Sequence, residues 1–330
     1  MKVLIAGLGS IGRRHLRNLL ALGVDDILFY RTHKSTLPDE ELESFPVEEN
    51  LETALNKQPD AVIVSNPTAL HLDIAIPAVQ KGCHLFLEKP IAAEYDQRVE
   101  ELVSLAGLMD VKTLVGFQFR FHPVLFQIKE ILDSGELGRP LSFNVHWGEY
   151  LPDWHPWEDY RLSYAARKDL GGGVVNTLCH PLDYSRWLFG EPRSVTALTG
   201  KVSDLDLDVE DFAEIILRFE NDCVGAIHLD YFQRPASHWL EINCENGQIH
   251  WDNADGSASI FRAADGSWKF IEPPHGFQRN DLFLAETEHF LEVLRGTAKS
   301  RCTLEDGVAA LKLTELVHES SLLGKKIVIV

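Results

Sequence analysis

The residues best suited to hold a phosphate ligand stand at the start of the chain. Gly7-Leu8-Gly9-Ser10-Ile11-Gly12 follows directly on the apolar run 2–6 and leads into 13–22, where Leu16, Leu19 and Leu20 recur at helical spacing. A GxGxxG set between a buried strand and a helix suits a dinucleotide. Gly7 permits the tight turn, Gly9 removes the side chain that would block the pyrophosphate, and Gly12 lets helix and strand lie close. The helix start turns free N–H groups and its positive dipole end toward the phosphates. Gly7, Gly9, Ser10, Ile11 and Gly12 are therefore cofactor candidates. The second strand, 27–30, runs into Tyr30-Arg31-Thr32-His33-Lys34-Ser35, while Asp25 and Asp26 precede it, at the wrong end. A carboxylate after this strand would hold the ribose hydroxyls of NAD and repel a 2′-phosphate. Arg31 could instead pair with that phosphate through its planar fork, helped by the hydroxyls of Thr32 and Ser35. The expectation is NADP, with NAD as the alternative.

The elements that position these residues alternate regularly. AVIV at 61–64 ends in Ser65-Asn66-Pro67, HLFL at 84–87 ends in Glu88-Lys89-Pro90, and a strand at 113–117 precedes Gln118. Helical stretches at 69–81, which includes Pro77, and 95–108 lie between them. Such repeats predict a doubly wound parallel sheet, whose ligands sit at the carboxyl ends of the strands. Gly7, Arg31, Ser65, Lys89 and Gln118 all fall there, and Asn66, Pro67, His71 and Glu88 join them as cofactor candidates.

Farther along, Gly171-Gly172-Gly173 precedes His180 and Asp183 on one predicted helix, 172–188. GLGSIG, then Glu88-Lys89-Pro90, then this third element together resemble the Gfo/Idh/MocA family (glucose-fructose oxidoreductase and inositol dehydrogenase-like oxidoreductases) over essentially the whole chain. The resemblance implies an α/β protein of two domains. A Rossmann domain is expected at 1–120. A substrate-binding and oligomerisation domain with a large, mainly antiparallel sheet is expected at 121–330. The sequence agrees: alternation stops after 120, a helix is predicted at 121–135 and a strand begins at 141–147. Strand-like runs at 212–219, 223–231, 239–244 and 248–251 are separated by turn residues such as Glu220-Asn221-Asp222 and Glu245-Asn246-Gly247. Helices follow near 281–295 and 303–324, and the last segment, 325–330, could return as a strand to either domain.

The resemblance further implies hydride transfer between NAD(P) and a hydroxyl or keto group of a sugar, cyclitol or nucleotide-sugar. Lys89 and His180 would handle the proton. Oxidising an alcohol carbon needs a group that takes the hydroxyl proton, and a lysine shielded from water has its charged form disfavoured. On a continuous helix, positions 176, 180, 183 and 187 share a face, so His180 could bind or relay from the reacting hydroxyl while Asp183 orients its ring or contacts substrate. Asn176 stands where the family commonly has aspartate. An amide cannot act as a base but can hydrogen-bond a hydroxyl. Trp157, Arg161, Tyr164 and Arg167, together with Arg120, supply faces that stack on sugars and forks that clamp acidic groups. Two alternatives use the same fold: a non-catalytic nucleotide-binding regulator, and a redox-neutral lyase or glycosidase that uses NAD(P) transiently.

Composition bounds these readings. The 330 residues carry 31 Lys+Arg against 50 Asp+Glu, a net charge of −19, which disfavours nucleic acid as a partner. No apolar run is long enough to span a bilayer, and no signal-peptide core opens the chain, so a cytoplasmic protein with no membrane partner is expected. The five cysteines are scattered without a CxxC pair, which suits buried, reduced thiols. Cys179-His180 has no companion cluster, so no metal is expected. A homodimer or homotetramer through the second domain's sheet is expected, because few helices remain to cover it.

Overall fold

The computed structural model describes residues 1–32 and 37–329. It divides into two compact units. One comprises Met1–Gln118, Asp169–Gly171 and Gln278–Leu311; the other comprises Phe119–Lys168, Gly172–Phe277 and Lys312–Val330.

In the first unit the runs that read as strands are strands. They are β1 (Val3–Ala6), β2 (Ile27–Tyr30), β3 (Val47–Glu48), β4 (Ala61–Val64), β5 (His84–Leu87) and β6 (Thr113–Val115). All pair in parallel, in the order β3-β2-β1-β4-β5-β6. Every residue of β1 and β4 is fully buried, as both faces of a parallel sheet require. The helices between strands are α1 (Ser10–Ala21), the short α2 (Leu51–Leu55), α3 (His71–Gln80, continuous through Pro77) and α4 (Gln97–Leu108). Chain direction across the sheet reverses between β1 and β4, so a crevice opens at their carboxyl ends.

The second unit opens with α5 (Pro123–Ser134) and β7 (Pro140–Tyr150), continues through α6 (Val174–Thr177) and α7 (His180–Phe189), and then builds a sheet. Its other strands are β8 (Pro192–Gly200), β9 (Phe212–Phe219), β10 (Val224–Asp230), β11 (Phe232–Cys244), β12 (Gly247–Asp252), β13 (Ala258–Arg262) and β14 (Ser267–Ile271). Two long helices, α8 (Arg279–Arg295) and α9 (Leu304–Leu323), precede the last strand, β15 (Ile327–Val328). The nine strands run β14-β13-β12-β11-β7-β10-β9-β8-β15, antiparallel except for β7 beside β10. Period-two burial gives each strand one inward face. Phe143, Val145 and Trp147 of β7 point inward, and Phe143 stacks on Phe189 of α7 at 4.3 Å.

Two points of organisation needed the tertiary structure. Residues 278–311, read from sequence as part of 121–330, pack with the first unit. The Arg14 guanidinium of α1 lies 4.2 Å over the Phe283 ring, Asn280 donates to Asn18 at 2.9 Å, and Phe290 meets Phe86 edge-on. Gly307 lies against Ile91 and Val115, where a Cβ would come within 2.9 Å of both side chains. Segment 325–330, left open between the domains, sends β15 to β8 of the larger sheet. Among the described residues no helix is long and apolar enough to cross a membrane, and the five cysteines are buried and form no disulfide.

Candidate functional site

In the first unit the glycine loop closes on the end of β4. A Cβ on Gly7, whose φ is +96°, would stand 2.5 Å from the Asn66 nitrogen, and one on Gly12 would stand 2.0 Å from the Gly7 oxygen. Both positions are closed to side chains by backbone. Gly9 differs: a Cβ there would meet nothing within 4 Å, so its backbone borders open space at the start of α1. The first turn of that helix carries no acidic residue, which suits an anion. Ser10 and Ile11 begin the helix. Ser65 hydroxyl donates to the Gly7 oxygen at 2.9 Å and binds β4 to the loop. Asn66 Oδ1 is buried without a hydrogen-bond partner among the described residues. An open glycine, a helix start and an orphaned amide oxygen fit a dinucleotide.

The loop after β5 is fixed from beneath. Glu88 is almost fully buried. Its Oε1 lies 2.8 Å from His15 Nε2 on α1, and its Oε2 accepts from the Lys89 backbone N–H at 3.3 Å. Gly116 leaves room for this carboxylate, since a Cβ there would fall 2.9 Å from Oε2. Glu88, expected to face backbone or cofactor, is thus tied to the helix of the glycine loop. His15 was absent from the sequence candidates; its signal is a histidine three residues beyond Gly12, on the buried side of α1. His71 Nε2 and Nδ1 each lie 2.9 Å from a carbonyl, that of Asn66 and that of Pro90 respectively. Burial holds its pKa below the ordinary histidine value. His71 therefore spans the loops after β4 and β5 as a brace. Lys89 is half-buried and joined to Pro90 by a cis peptide. Pro67 follows Asn66 at the start of a short turn, and Gln118 is buried after β6.

The end of β2 departs from its sequence reading. Arg31 is buried, and its Nη2 donates to Asp39 Oδ1 at 2.9 Å. Arg13 Nη2 donates to the same oxygen at 3.2 Å. These contacts, with Arg31 the largest, hold the Asp39 carboxyl below its usual range. The NADP expectation rested on the lack of an acidic residue after β2; the fold supplies one from eight positions downstream. Thr32 is exposed, and Ser35 lies outside the described residues.

In the second unit the predicted helix 172–188 is two helices. α6 ends at Thr177, and α7 begins at His180 with Pro181 in its first turn. Pro181 has no N–H to give to the carbonyl four residues back and stands in the first turn of α7, where proline is favoured, so a new helix starts here. Asn176 and His180 therefore do not share one helical face. Glu210 anchors the start of α6: its Oε1 accepts from Val175 N at 3.2 Å, and a Cβ on Gly173 (φ +105°) would come within 2.4 Å of that oxygen. Burial pushes the Glu210 carboxyl up. Asn176 Oδ1 is buried without a hydrogen-bond partner among the described residues.

His180 is buried against aromatic rings, Phe119 at 5.2 Å and Trp147 at 5.6 Å; Trp147 also stacks on His238 at 4.2 Å. Asp183, expected to orient the histidine or to contact substrate, is 1 % exposed and takes both bonds of a fork from Arg120. Nε meets Oδ2 at 3.0 Å and Nη2 meets Oδ1 at 2.7 Å. Two residues assigned to substrate are thus joined to each other.

The aromatic loop separates into two parts. Tyr164 and Arg167 border the triple glycine: Gly172 donates to the Arg167 oxygen at 2.9 Å, and a Cβ on Gly172 would stand 2.2 Å from the Tyr164 oxygen. Trp157 is exposed. Arg161 is held by Asp159, with Nε to Oδ1 at 2.9 Å, and lies 3.6 Å from Asp206.

Comparison with known proteins agrees with this architecture. Residues 1–117 match the family model described as "Oxidoreductase family, NAD-binding Rossmann fold", and 126–250 match the "GFO/IDH/MocA C-terminal domain". An uncharacterized oxidoreductase of Synechocystis is 32% identical over 61% of this chain and 57% of its own. The myo-inositol 2-dehydrogenase of Thermotoga maritima is 26% identical over 95% of this chain and 94% of its own. Among solved structures, a levoglucosan dehydrogenase in complex with NADH superposes with a TM-score of 0.90 at 19% identity, covering 100% of this chain and 99% of that one.

Proposed function

Because the chain belongs to the Gfo/Idh/MocA family of NAD-binding oxidoreductases, we propose that it moves hydride between a nicotinamide cofactor and a hydroxyl or keto group of a sugar or cyclitol. One observation carries this reading. GLGSIG, Asn66 and the Lys89 loop are tied into one group of strand ends by Ser65, His71 and the His15–Glu88 bond. The glycine loop and the start of α1 would hold the pyrophosphate, and the bound nicotinamide supplies the hydride chemistry. Lys89 takes the proton from the reacting hydroxyl, or returns it in reduction. Glu88 and His15 fix the backbone that carries Lys89. His180 and Asn176 act on substrate hydroxyls, with the amide as a hydrogen-bond partner rather than a base.

The cofactor reading is NAD. A 2′-phosphate at Arg31 would have to displace Asp39, whose negative charge opposes it. A neutral polyol suits the second unit better than an acidic sugar, since Arg161 is already neutralised by Asp159 and Asp206 and Arg120 by Asp183. The open face of the larger sheet exposes Leu198, Ile216, Val224 and Phe270, and this face is the proposed surface of self-association.

The test pairs binding with turnover. Lys89→Met should keep NADH affinity, read by fluorescence titration, and lower kcat by about 10²–10⁴-fold on whichever polyol the native protein oxidises. Unchanged turnover would remove Lys89 from the reaction. Tight cofactor binding with no turnover across a panel of sugars and cyclitols would favour the regulatory alternative.

A further inference from the structure

The open face of the nine-stranded sheet carries a group of side chains that the hydride chemistry does not use. Cross-strand pairing sets Glu214 of β9, His228 of β10, His146 of β7 and Trp239 of β11 in one row, and Asp230 beside Gly148 in the next. These positions are scattered along the sequence, so only the sheet register unites them.

We propose that His146, His228 and Asp230, with Gln233 as a fourth donor, form a binding site for a divalent transition-metal ion. One donor atom from each of the first three lies within 4.8 Å of the others. His228 Nε2 and Asp230 Oδ2 are 2.9 Å apart, and His146 Nε2 and Gln233 Oε1 are 2.5 Å apart. Metal bonds of about 2.0–2.2 Å place neighbouring donors roughly 3.0–3.5 Å apart, so side-chain rotations suffice to gather the four.

Three further features favour an ion over a chance cluster. Gly148 provides space: a Cβ there would stand 2.3 Å from both Asp230 Oδ2 and Gln233 Oε1. Asp230 is rigid, because its Oδ1 accepts from the backbone N–H groups of Phe232 at 2.9 Å and Gln233 at 2.7 Å, leaving Oδ2 directed at the histidines. His228 is oriented from behind, since its Nδ1 lies 2.7 Å from Glu214 Oε1. A carboxylate on the far nitrogen of a ligating histidine is the usual outer support of a metal site.

The donor set of two imidazoles, a carboxylate and an amide oxygen selects zinc, cobalt or nickel over magnesium or calcium. His146 stacks on His228 at 4.5 Å, which holds the two imidazole rings side by side.

The experiment titrates Co²⁺, then Zn²⁺, into the full chain after chelator treatment, following visible absorption and calorimetry. One ion per chain is expected, with Zn²⁺ displacing Co²⁺. His228→Gln and His146→Gln should each weaken binding by more than about 100-fold, and Glu214→Gln by about 10–100-fold. Metal should raise the melting temperature of the native chain but not of the double variant His146→Gln/His228→Gln, whose metal-free melt reports that it folds. The proposal is overturned if the native chain shows no saturable binding below millimolar metal. Equal binding by the folded double variant overturns it as well.

Discussion

Two arginines read from sequence as ligand contacts, Arg31 and Arg120, both hold an aspartate, yet the two pairs differ in kind. Arg31 is buried but its partner Asp39 is 49% exposed. Arg120 and Asp183 are both sealed, at 5% and 1%, and meet through two parallel bonds. An exposed carboxylate exchanges partner for water cheaply, so the first pair can open for a ligand. Removing one member of a sealed pair strands a charge in the interior, which costs several kcal/mol. A charged side chain near a site is therefore a ligand contact only when its partner can be given up.

Four substitutions test that difference. The largest effect belongs to Asp183→Ala, which leaves the Arg120 charge buried. Urea unfolding should show a loss of about 3–5 kcal/mol, and replacing both members by apolar residues of similar volume should restore much of it. A loss below about 1 kcal/mol would put the pair in the same class as Arg31–Asp39.

His122 extends the test from a sealed pair to a sealed single group on the same segment. Its ring accepts from the Val124 and Leu125 N–H groups at the start of α5, at 3.2 and 3.3 Å. Burial lowers its pKa from 6.5 to about 4. The unfolded chain takes up this proton near 6.5 and the folded chain only near 4, so the stability it contributes is fully present above the unfolded value and is lost as pH falls toward 4. Between pH 7 and 5 the native protein should lose about 2 kcal/mol more than His122→Asn, whose amide keeps the cap without titrating. Parallel pH profiles for the two would show that the ring is not held neutral.

At the open pair the expected effects are smaller. Asp39→Asn frees Arg31 of an opposing charge and should shift the ratio of NADPH to NADH affinity toward NADPH by about tenfold, worth about 1.4 kcal/mol, in fluorescence titrations. An unchanged ratio would mean that the adenosine end of the cofactor does not reach Arg31. Least of all should be felt at Arg161. Its pairing with Asp159 is solvent-exposed, so Arg161→Ala should change stability by under about 1 kcal/mol and leave the KM for a neutral polyol unmoved. A large rise in KM would restore an acidic substrate.

The first unit was legible because its signals are local. Each strand of the parallel sheet is a short apolar run, and each candidate residue follows its strand within a few positions: Gly7 after β1, Ser65 after β4, Lys89 after β5. The second unit was legible in class but not in detail. Strand runs and turns announced an antiparallel sheet, but the helix carrying Asn176 and His180 was read as one, whereas Pro181 stands in the first turn of a second helix. The partners that Asp183, Arg120 and Arg31 take were not legible, for one shared reason. An ion pair depends on where a second segment arrives, and no periodicity records that.

The amino-acid sequence alone determined the alternating strands and helices, the closed glycines at 7 and 12, the open one at 9, and the family. These follow from covalent geometry and from hydrophobic period, both of which act over a few residues. Tertiary structure decided that Asp39 reaches Arg31 and that Glu88 rests on His15. It also set residues 278–311 on the first unit and gathered His146, His228 and Asp230 from two neighbouring strands, β7 and β10. Those outcomes depend on packing between segments distant in the chain, where burial removes water and makes each charge take a partner.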